Sequence, residues 1–305
     1  MRRIFSEYLA KIVQSDESII FITGDLGYNA LETLQKIMGN RFINAGVAEQ
    51  NMIGVAAGLA KKGFKVFCYS IAPFAVYRCL EQIRVDVCFH KLPVFIVGNG
   101  GGYGYGIMGA THHALEDIAC LSSLPNMTCW IPAFAEDVPL VIDTLIKKKS
   151  PAYLRLGLGK KNLYNNTAQS ISQFTDVVKS KNPKVTIAVL GPLIHNLEKI
   201  IQHYKNEIDV FTVLNVPILT LSENFINSIK HSKKLLIIEE HTSRGGIAEN
   251  ISLKILEENI TLDKFKSVSA LGYPNGLYGS QQYHQTQSHL DSDSLLNTVQ
   301  NLLNV

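Results

Sequence analysis

The sequence has little cysteine, and what it has shows no ligand-like spacing. Five cysteines among 305 residues, at positions 68, 79, 88, 120 and 129, form no Cys-x-x-Cys pair and lie mostly among apolar neighbours. This number and spacing argue against a disulfide framework and against a cysteine zinc site. We expect small core side chains in a reducing compartment instead.

Charge of one sign and long hydrophobic runs are scarce as well. Lys and Arg number 29 against 26 Asp and Glu, and the basic residues are scattered apart from the short run 147–149. The sequence therefore predicts no nucleic-acid surface. The longest apolar stretches have strand length, and the first seven residues, MRRIFSE, lack the apolar core of a signal peptide. We expect no membrane contact and a cytoplasmic location.

What is present indicates a folded chain of about two domains. Hydrophobic residues make up 46% and charged residues 18%, an ordinary globular composition. Over 1–160, short apolar runs alternate with segments of helical period, which predicts a mostly parallel sheet covered by helices. A polar stretch over 161–184 is typical of a linker. The alternation resumes over 185–305, so we expect a second, smaller α/β domain.

One carboxylate stands out at the start of a predicted helix. Glu49 precedes a run of small and apolar residues that ends near residue 60. Small side chains let such a helix approach another backbone closely, which suits burial against a second subunit. A desolvated carboxyl there can hold or donate a proton near neutral pH. The position alone leaves open an ordinary helix-start glutamate, favoured by the helix dipole.

Several motifs in a fixed order give the chain a family resemblance. They are Gly-Asp-Leu-Gly at 24–27, Phe-Ile-Asn-Ala-Gly-Val-Ala-Glu-Gln-Asn-Met at 42–52, Arg-x-x-Glu-Gln-Ile-Arg at 78–84, Gly-Ala-Thr-His-His-Ala-Leu-Glu-Asp-Ile-Ala at 109–119 and Glu-Glu-His-Thr-Ser-Arg-Gly-Gly at 239–246. Together they resemble the C-terminal half of a transketolase over nearly the whole chain. The resemblance implies a pyrimidine-binding domain over 1–160 and a transketolase C-terminal domain over 185–305.

The resemblance implies thiamine diphosphate as the cofactor. In the family, a glutamate matching Glu49 hydrogen-bonds the aminopyrimidine ring and favours the imino tautomer, which removes the thiazolium C2 proton. A protonatable carboxyl facing a ring nitrogen in a dry site suits that chemistry. Phe74 is the best match to the aromatic residue that packs on the ring, with Tyr77 and Tyr69 as alternates. Asp25, in the first motif, is also expected at the cofactor.

The resemblance further implies that this chain is half of an enzyme. The family binds the diphosphate and its Mg²⁺ through a Gly-Asp-Gly segment and a later Asn on a separate N-terminal domain, and no such pair occurs here. We therefore expect no metal ligands in this chain. An N-terminal partner subunit should carry the diphosphate and Mg²⁺ site, with the cofactor between the two polypeptides. The chain would be active only in that complex, whose expected assembly is α2β2.

Substrate contacts are expected beside a glycine-rich loop over 98–106. His112 matches a family histidine that contacts substrate oxygens, and an imidazole there can stabilise a developing alkoxide. His113 is a second candidate, and Arg155 matches a phosphate-contacting arginine but can equally be structural. Met108 and Gly100 stand where ordinary transketolases carry an acidic residue and a histidine. The usual sugar-phosphate acceptor is therefore in doubt.

We predict transfer of a two-carbon ketol unit between a ketose and an aldehyde sugar or sugar derivative. One alternative keeps the cofactor but has the chemistry of deoxyxylulose-phosphate synthases or of the β subunits of 2-oxoacid dehydrogenases. The stretch Thr-His-His-Ala-Leu-Glu-Asp favours transketolase over the dehydrogenase subunit. A non-catalytic scaffold is the third hypothesis, against which Glu49 and His112 count. In the second domain, 239–241 and 244–246 are interpreted as turn, cap and interface residues.

Overall fold

Two mostly parallel sheets organise the chain, each flanked by helices, in a computed structural model that describes residues 1–164 and 171–304. The first sheet has seven strands in the order β10-β5-β6-β4-β3-β1-β2, and the second has five in the order β12-β11-β8-β9-β7. The strands are β1 Ile19–Thr23, β2 Phe42–Asn44, β3 Lys65–Ile71, β4 Val94–Asn99, β5 Thr128–Trp130, β6 Ala152–Leu156, β7 Phe174–Val178, β8 Val185–Leu190, β9 Ile208–Val213, β10 Asn215–Val216, β11 Lys234–Glu239 and β12 Lys264–Ser269.

Helices cover both faces of these sheets. The α-helices are α1 Arg2–Ile12, α2 Glu32–Met38, α3 Glu49–Lys61, α4 Ala72–Val76, α5 Leu80–Gln82, α6 Asp117–Ser122, α7 Asp137–Lys148, α8 Glu198–Tyr204, α9 Glu223–Ser232, α10 Ile247–Glu257, α11 Gln281–Gln287 and α12 Ser292–Leu303. Short 3₁₀ segments lie at Gly39–Arg41, Tyr77–Cys79, Gly106–Thr111 and Gly191–Leu197, and a π-helix spans Ile83–Phe89. The predicted α/β class, with two mostly parallel sheets, is confirmed.

The strand order of the first sheet creates a crevice beside β1. The chain leaves β1 for β2 on one side and then crosses back to place β3 on the other side, and both pairings are parallel. At such a reversal, the connections after the two strands diverge, which leaves a crevice at their carboxyl ends. Ligands of open α/β sheets bind preferentially at this point. The carboxyl ends of β1 and β3 are therefore where the fold favours a site.

The core explains why α3 lies where it does. Every residue of β1 is buried, as expected for a strand covered on both faces. Alternate side chains point to opposite faces. Phe21 packs with the aromatic cluster under α1, and Ile22 packs with Met52 and Ala56 of α3. Burial of this α3 face fixes the start of the helix, and hence Glu49, above the carboxyl end of the sheet.

The boundary between the two domains differs in detail from the predicted linker over 161–184. Residues 165–170 of that segment lie outside the described residues, as does Val305 at the end of the predicted second domain. Residues 174–178 form β7, which pairs antiparallel with β9 and so belongs to the second sheet. In return, β10 pairs antiparallel with β5 at the edge of the first sheet. β7 lies at the edge of this sheet, and its sequence FTDVV buries Phe174 and Val177.

Three further features bear on the expectations from composition. All five cysteines are free. Within 1–164 and 171–304, none of the helices combines the length and apolar character needed to cross a bilayer. In the same residues, no group of three or more His, Cys, Asp or Glu side chains is arranged to hold a metal ion.

Candidate active site

Glu49 lies at the crevice, and its carboxyl is almost completely buried. The residue is 1% exposed and is the first residue of α3. Its Oε1 accepts a hydrogen bond of 2.9 Å from the Ser70 hydroxyl, and its Oε2 accepts one of 3.1 Å from Nη1 of Arg78. No side chain caps the first turn of α3, so the carboxyl reaches across to neighbouring elements and not to its own helix. Glu49 thus has two side-chain partners, one on each oxygen.

A glycine allows the carboxyl to sit close to the sheet. Gly24 follows β1, and its amide donates to the Tyr69 carbonyl at the end of β3. A Cβ at this position would lie 3.3 Å from both Oε1 of Glu49 and Oγ of Ser70. That spacing is tighter than most Cβ contacts, so the absence of a side chain leaves the space that the carboxyl uses. The first sequence motif therefore contributes its glycine to the site.

Asp25 of the same motif points elsewhere. It is exposed, has a left-handed φ of 57° and accepts a 2.8 Å hydrogen bond from Nδ2 of Asn44. An aspartate tolerates this conformation better than most residues. The expected cofactor contact of Asp25 stays a prediction.

Phe74 and Arg78 form the accessible side of the site. The Arg78 guanidinium lies 4.3 Å from the centre of the Phe74 ring, within cation–π distance. The Phe74 ring is partly exposed and meets the His112 imidazole edge-on, with the ring centres 5.1 Å apart. The structure therefore links Glu49 to Phe74 through Arg78, and Phe74 to His112 through their ring contact. Sequence reasoning named Arg78 only as the start of a motif.

The two alternates to Phe74 lie in different environments. Tyr69 is buried on the opposite face of the sheet, where it packs with Phe5 and Phe21. The Tyr77 hydroxyl donates to Glu116 at 2.9 Å and accepts from the Glu116 amide at 3.1 Å. Burial raises the pKa of Tyr77, and the nearby Asp117 and Glu116 carboxylates raise it further. Tyr77 therefore stays a neutral phenol that ties its segment to the loop beyond His112.

The glycine-rich loop over 98–106 leads through the 3₁₀ segment Gly106–Thr111 to His112, and the shape of that segment also depends on glycine. Gly109 has a φ of 69°, and a Cβ there would lie 2.7 Å from the Tyr278 ring. His112 is partly exposed, and its Nδ1 lies 2.8 Å from Oγ1 of Thr111. No hydrogen bond joins its Nε2 to the described part of the chain. This geometry leaves one ring nitrogen of His112 available to a substrate oxygen.

His113, in contrast, uses both ring nitrogens internally. It is 2% exposed, its Nε2 lies 2.7 Å from the Gly106 carbonyl oxygen, and its Nδ1 lies 2.7 Å from the Tyr273 hydroxyl. Because a carbonyl only accepts, Nε2 carries the proton and Nδ1 accepts from the tyrosine. Burial lowers the pKa of His113 to about 4. His113 therefore ties the loop to the C-terminal segment as a neutral imidazole, and its expected substrate contact stays a prediction.

Arg155 lies beneath the loop and is 5% exposed. Its Nε is 3.3 Å from Oδ2 of Asp117, which is fully buried, and its Nη2 donates to the carbonyls of Ala114 and Glu240, both at 2.9 Å. The Asp117 oxygen also accepts from the Tyr153 hydroxyl at 2.6 Å. The guanidinium thus holds the 114–117 segment and the second domain together. A direct phosphate contact by Arg155 stays a prediction.

The second domain docks on the same loop through the end of β11. The Glu240 carboxylate accepts from the Tyr103 amide at 2.7 Å and from the side-chain amides of Gln281 and Gln285. The His241 Nε2 accepts from the Ala119 amide at 3.2 Å, and burial lowers the pKa of His241 to about 4. These contacts join the two domains within one chain, and an interface role toward another subunit stays a prediction. Gln281 and Gln285 of α11 therefore support the glycine-rich loop through Glu240.

A cavity of about 900 Å³ lies between this loop and the second domain. Arg155, His195 and Gln285 are among its lining residues, whereas Glu49, Phe74 and His112 are not. His195 and Gln285 are themselves hydrogen-bonded to Glu198 and Glu240. The cavity is therefore separate from the Glu49 site.

The residues at the crevice fit a planar, hydrogen-bonding ring. A buried carboxyl can bond a ring nitrogen, a partly exposed phenyl face can stack on the ring, and a glycine leaves room beside the carboxyl. The fold and this site define an α/β protein with a candidate site for a planar ring at the carboxyl edge of its first sheet.

Comparison with known proteins identifies the family. The model of the family described as "Transketolase, pyrimidine binding domain" matches residues 1–164. One subunit of the apulose-4-phosphate transketolase of Actinobacillus succinogenes is 30% identical over 269 residues, which cover 86% of this chain and 85% of that protein. The chain belongs to the transketolase family. The family implies a transferase that uses thiamine diphosphate.

Two further similarities refine this picture. A solved structure described as "Split gene transketolase, inactive beta4 tetramer" superimposes with a TM-score of 0.81 at 25% identity, over 99% of this chain and 98% of that one. 1-Deoxy-D-xylulose-5-phosphate synthase of Clostridium perfringens is 27% identical over 315 residues, covering 98% of this chain but 48% of that protein. The chain thus spans about half of the synthase and nearly all of the split transketolase chain. The predicted resemblance to a split transketolase subunit is confirmed.

Proposed function

We propose that this chain is the C-terminal, pyrimidine-binding subunit of a split thiamine-diphosphate enzyme that transfers a two-carbon ketol unit between sugars or sugar derivatives. The observation that carries the proposal is the buried Glu49 carboxyl at the crevice between β1 and β3, with the partly exposed Phe74 ring beside it. A buried carboxyl at the carboxyl end of a parallel sheet is where a cofactor of this kind can be bound and activated.

Each residue of the site has a distinct task in this proposal. Glu49 holds a proton at its carboxyl and shares it with a nitrogen of the pyrimidine ring. Ser70 fixes the orientation of that carboxyl through its 2.9 Å hydrogen bond, and Phe74 packs on the ring. His112 offers Nε2 to a substrate oxygen on which charge develops. When bound, thiamine diphosphate supplies the carbon nucleophile that attacks the ketose carbonyl.

A partner subunit completes the site in this proposal, with the diphosphate and Mg²⁺ bound on the partner and an α2β2 assembly. The outer face of α3 supports it, because Gly54 and Gly58 are exposed and a Cβ at either would meet nothing within 4 Å. Val47, just before the helix, is 75% exposed. Open small residues and exposed apolar side chains next to a buried carboxyl suit coverage by another subunit. The Actinobacillus relative is itself one subunit of its transketolase, which supports the same interpretation.

The substrate class follows from the loop beside His112. Met108 is 52% exposed in a position where ordinary transketolases carry an acidic residue, so this loop offers an apolar contact to the substrate. His113 and Arg155 reach a substrate only if their present contacts are exchanged. We therefore propose a sugar or sugar derivative whose recognition depends on His112 and on the partner.

A second candidate is a reaction of the deoxyxylulose-phosphate-synthase type, favoured by the similarity that extends over 98% of this chain. That reaction consumes a 2-oxoacid, whereas ketol transfer consumes a ketose. Incubation of the assembled enzyme with pyruvate or with ketoses separates the two. Consumption of pyruvate, with no ketose used, would overturn ketol transfer.

The test of the whole proposal begins with the native complex. The tagged chain is purified gently from its own cells with Mg²⁺ present, and its native mass is recorded with bound small molecules. The proposal predicts a second protein and one thiamine diphosphate per chain. A homo-oligomer without partner or cofactor would support the scaffold hypothesis instead.

A further inference from the structure

In the proposed function, Glu49 and Phe74 contact the pyrimidine ring. Arg78 contacts both of these side chains. Its Nη1 donates to Oε2 of Glu49 at 3.1 Å, and its guanidinium lies 4.3 Å from the centre of the Phe74 ring. The Arg78 side chain is 45% exposed, whereas that of Glu49 is 1% exposed. One planar group therefore hydrogen-bonds the buried carboxyl and stacks on the accessible aromatic face at the same time.

We propose that Arg78 is a positioning residue that holds the Glu49 carboxyl in place while the site lacks its ring, and that its guanidinium gives way to the ring on cofactor binding. The proposal rests on the proposed function, since the pyrimidine is the group that replaces it. A guanidinium resembles an aminopyrimidine in two respects. Both are planar, and both present N–H groups that a carboxylate accepts.

Burial of the Glu49 carboxyl makes such a partner necessary. A carboxylate removed from water is costly unless a cation or several donors compensate it. The Ser70 hydroxyl supplies a single neutral donor, so the charge of Arg78 supplies the rest. Arg78 can move away at little cost because nearly half of its side chain is already in water. The ion pair is thus strong enough to hold Glu49 and exposed enough to open.

The first experiment uses the full chain without partner or cofactor. Urea unfolding midpoints are measured for wild type, Arg78→Met and Arg78→Lys under the same conditions. Without the guanidinium, the buried Glu49 carboxyl keeps a single neutral donor, Ser70, so Arg78→Met is expected to unfold at a lower urea concentration than wild type. Arg78→Lys restores a cation and should recover part of the difference.

The matched control is Arg84→Met. Arg84 also pairs with a glutamate, Glu81, at 3.0 Å, but both partners are exposed. An exposed pair contributes little, so its loss should lower the midpoint only slightly. A loss of stability in Arg78→Met that is no larger than that in Arg84→Met would overturn the proposal.

The second experiment uses the complex with the N-terminal partner and measures thiamine diphosphate binding at pH 8. Because Arg78→Met destabilises the empty site and not the occupied one, the variant should bind the cofactor several-fold more tightly than wild type. Equal or weaker binding would show that the guanidinium and the ring do not exchange. If neither complex binds thiamine diphosphate, the proposed function itself fails, and the difference between the unfolding midpoints of the free chains then reports the ion pair alone.

Discussion

Glu49 and Glu239 are both buried carboxylates at the carboxyl edge of a parallel sheet, yet their partners differ. Glu49 is 1% exposed and is bonded by two side chains, Ser70 and Arg78. Glu239 is completely buried, and its oxygens accept from the backbone amides of Ile247 and Ala248 at 2.7 and 3.2 Å. Those amides open α10 and have no partner within the helix. Glu239 therefore caps a helix, whereas Glu49 leaves its own helix uncapped.

The difference teaches how a buried acid can be interpreted. The backbone amides at the start of a helix cannot move away from it, so the hydrogen bonds of Glu239 are a fixed part of the second domain. Side-chain partners that reach solvent can leave, so Glu49 can exchange Arg78 for a ligand. Burial alone does not distinguish the two acids. They differ in whether their hydrogen-bond donors can move away, and the following variants test that difference.

The largest effect is expected for Glu49→Gln in the reconstituted complex. The amide keeps the shape but cannot share a proton with the ring, so turnover should fall by about 10²- to 10⁴-fold, the range of general acid–base catalysis. Steady-state rates with a ketose donor measure this. Glu239→Gln is the control, because a structural cap should leave most of the rate in any complex that still folds. Near-normal turnover of Glu49→Gln would remove Glu49 from catalysis.

The second effect is on stability and belongs to Glu239. Burial raises the pKa of this carboxyl from 4.5 to about 7, partly offset by its two amide donors. Between those values the unfolded chain has lost the proton and the folded chain keeps it, so stability falls as the pH rises. The loss is on the order of 3 kcal/mol, at about 1.4 kcal/mol per pKa unit.

Urea unfolding at several pH values from 5 to 7 measures the second effect. In Glu239→Gln, the fall of stability with pH should flatten by that amount, because an amide does not titrate. A slope identical to that of wild type would contradict the buried, protonated state of Glu239.

The third prediction compares the neighbouring histidines. His113→Ala removes two internal hydrogen bonds and should destabilise the chain by about 1–3 kcal/mol, because the Tyr273 hydroxyl and the Gly106 carbonyl lose their partner. His112→Ala should change stability little and reduce kcat of the complex. Urea unfolding and steady-state kinetics of the two variants measure the split. Equal stability losses would show that His112 is structural as well.

The smallest effect is expected for Phe74→Leu. Leucine keeps apolar contact but loses the aromatic stack, which contributes about 0.5–1.5 kcal/mol, equivalent to a two- to tenfold weaker affinity for the cofactor. Titration of the complex with thiamine diphosphate measures it. Phe89→Leu serves as the control, since Phe89 is 73% exposed and lies outside the site. Unchanged affinity in Phe74→Leu would move the ring contact to another residue.

The sequence predicted the parts of the molecule that local patterns determine. Alternating apolar runs are enough to predict buried parallel strands such as β1, and Glu49 was conspicuous as a single acid before a helix of small residues. The edge strand β7 was missed because it is short and lies within a polar stretch that resembles a linker, and its pairing with β9 depends on residues far along the chain.

The same limit applies to the surroundings of Glu49. Ser70 and Arg78 lie 21 and 29 residues away from it, and their contacts exist only because β1 and β3 are adjacent in the sheet. The motif that begins at Arg78 was visible in the sequence. Its contact with Glu49 could be inferred only with the strand order known. The support of the glycine-rich loop by Gln281 and Gln285 likewise depends on the packing of the two domains.

The most direct measurement follows exchange of the thiazolium C2 proton of thiamine diphosphate for deuterium in the assembled complex. Wild type and Glu49→Gln are compared by NMR after quenching, at saturating cofactor and with equal occupancy. The account predicts that exchange in Glu49→Gln is slower by orders of magnitude, because the carboxyl can no longer share its proton with the ring. Equal exchange rates in the two complexes would contradict the claim that Glu49 activates the cofactor.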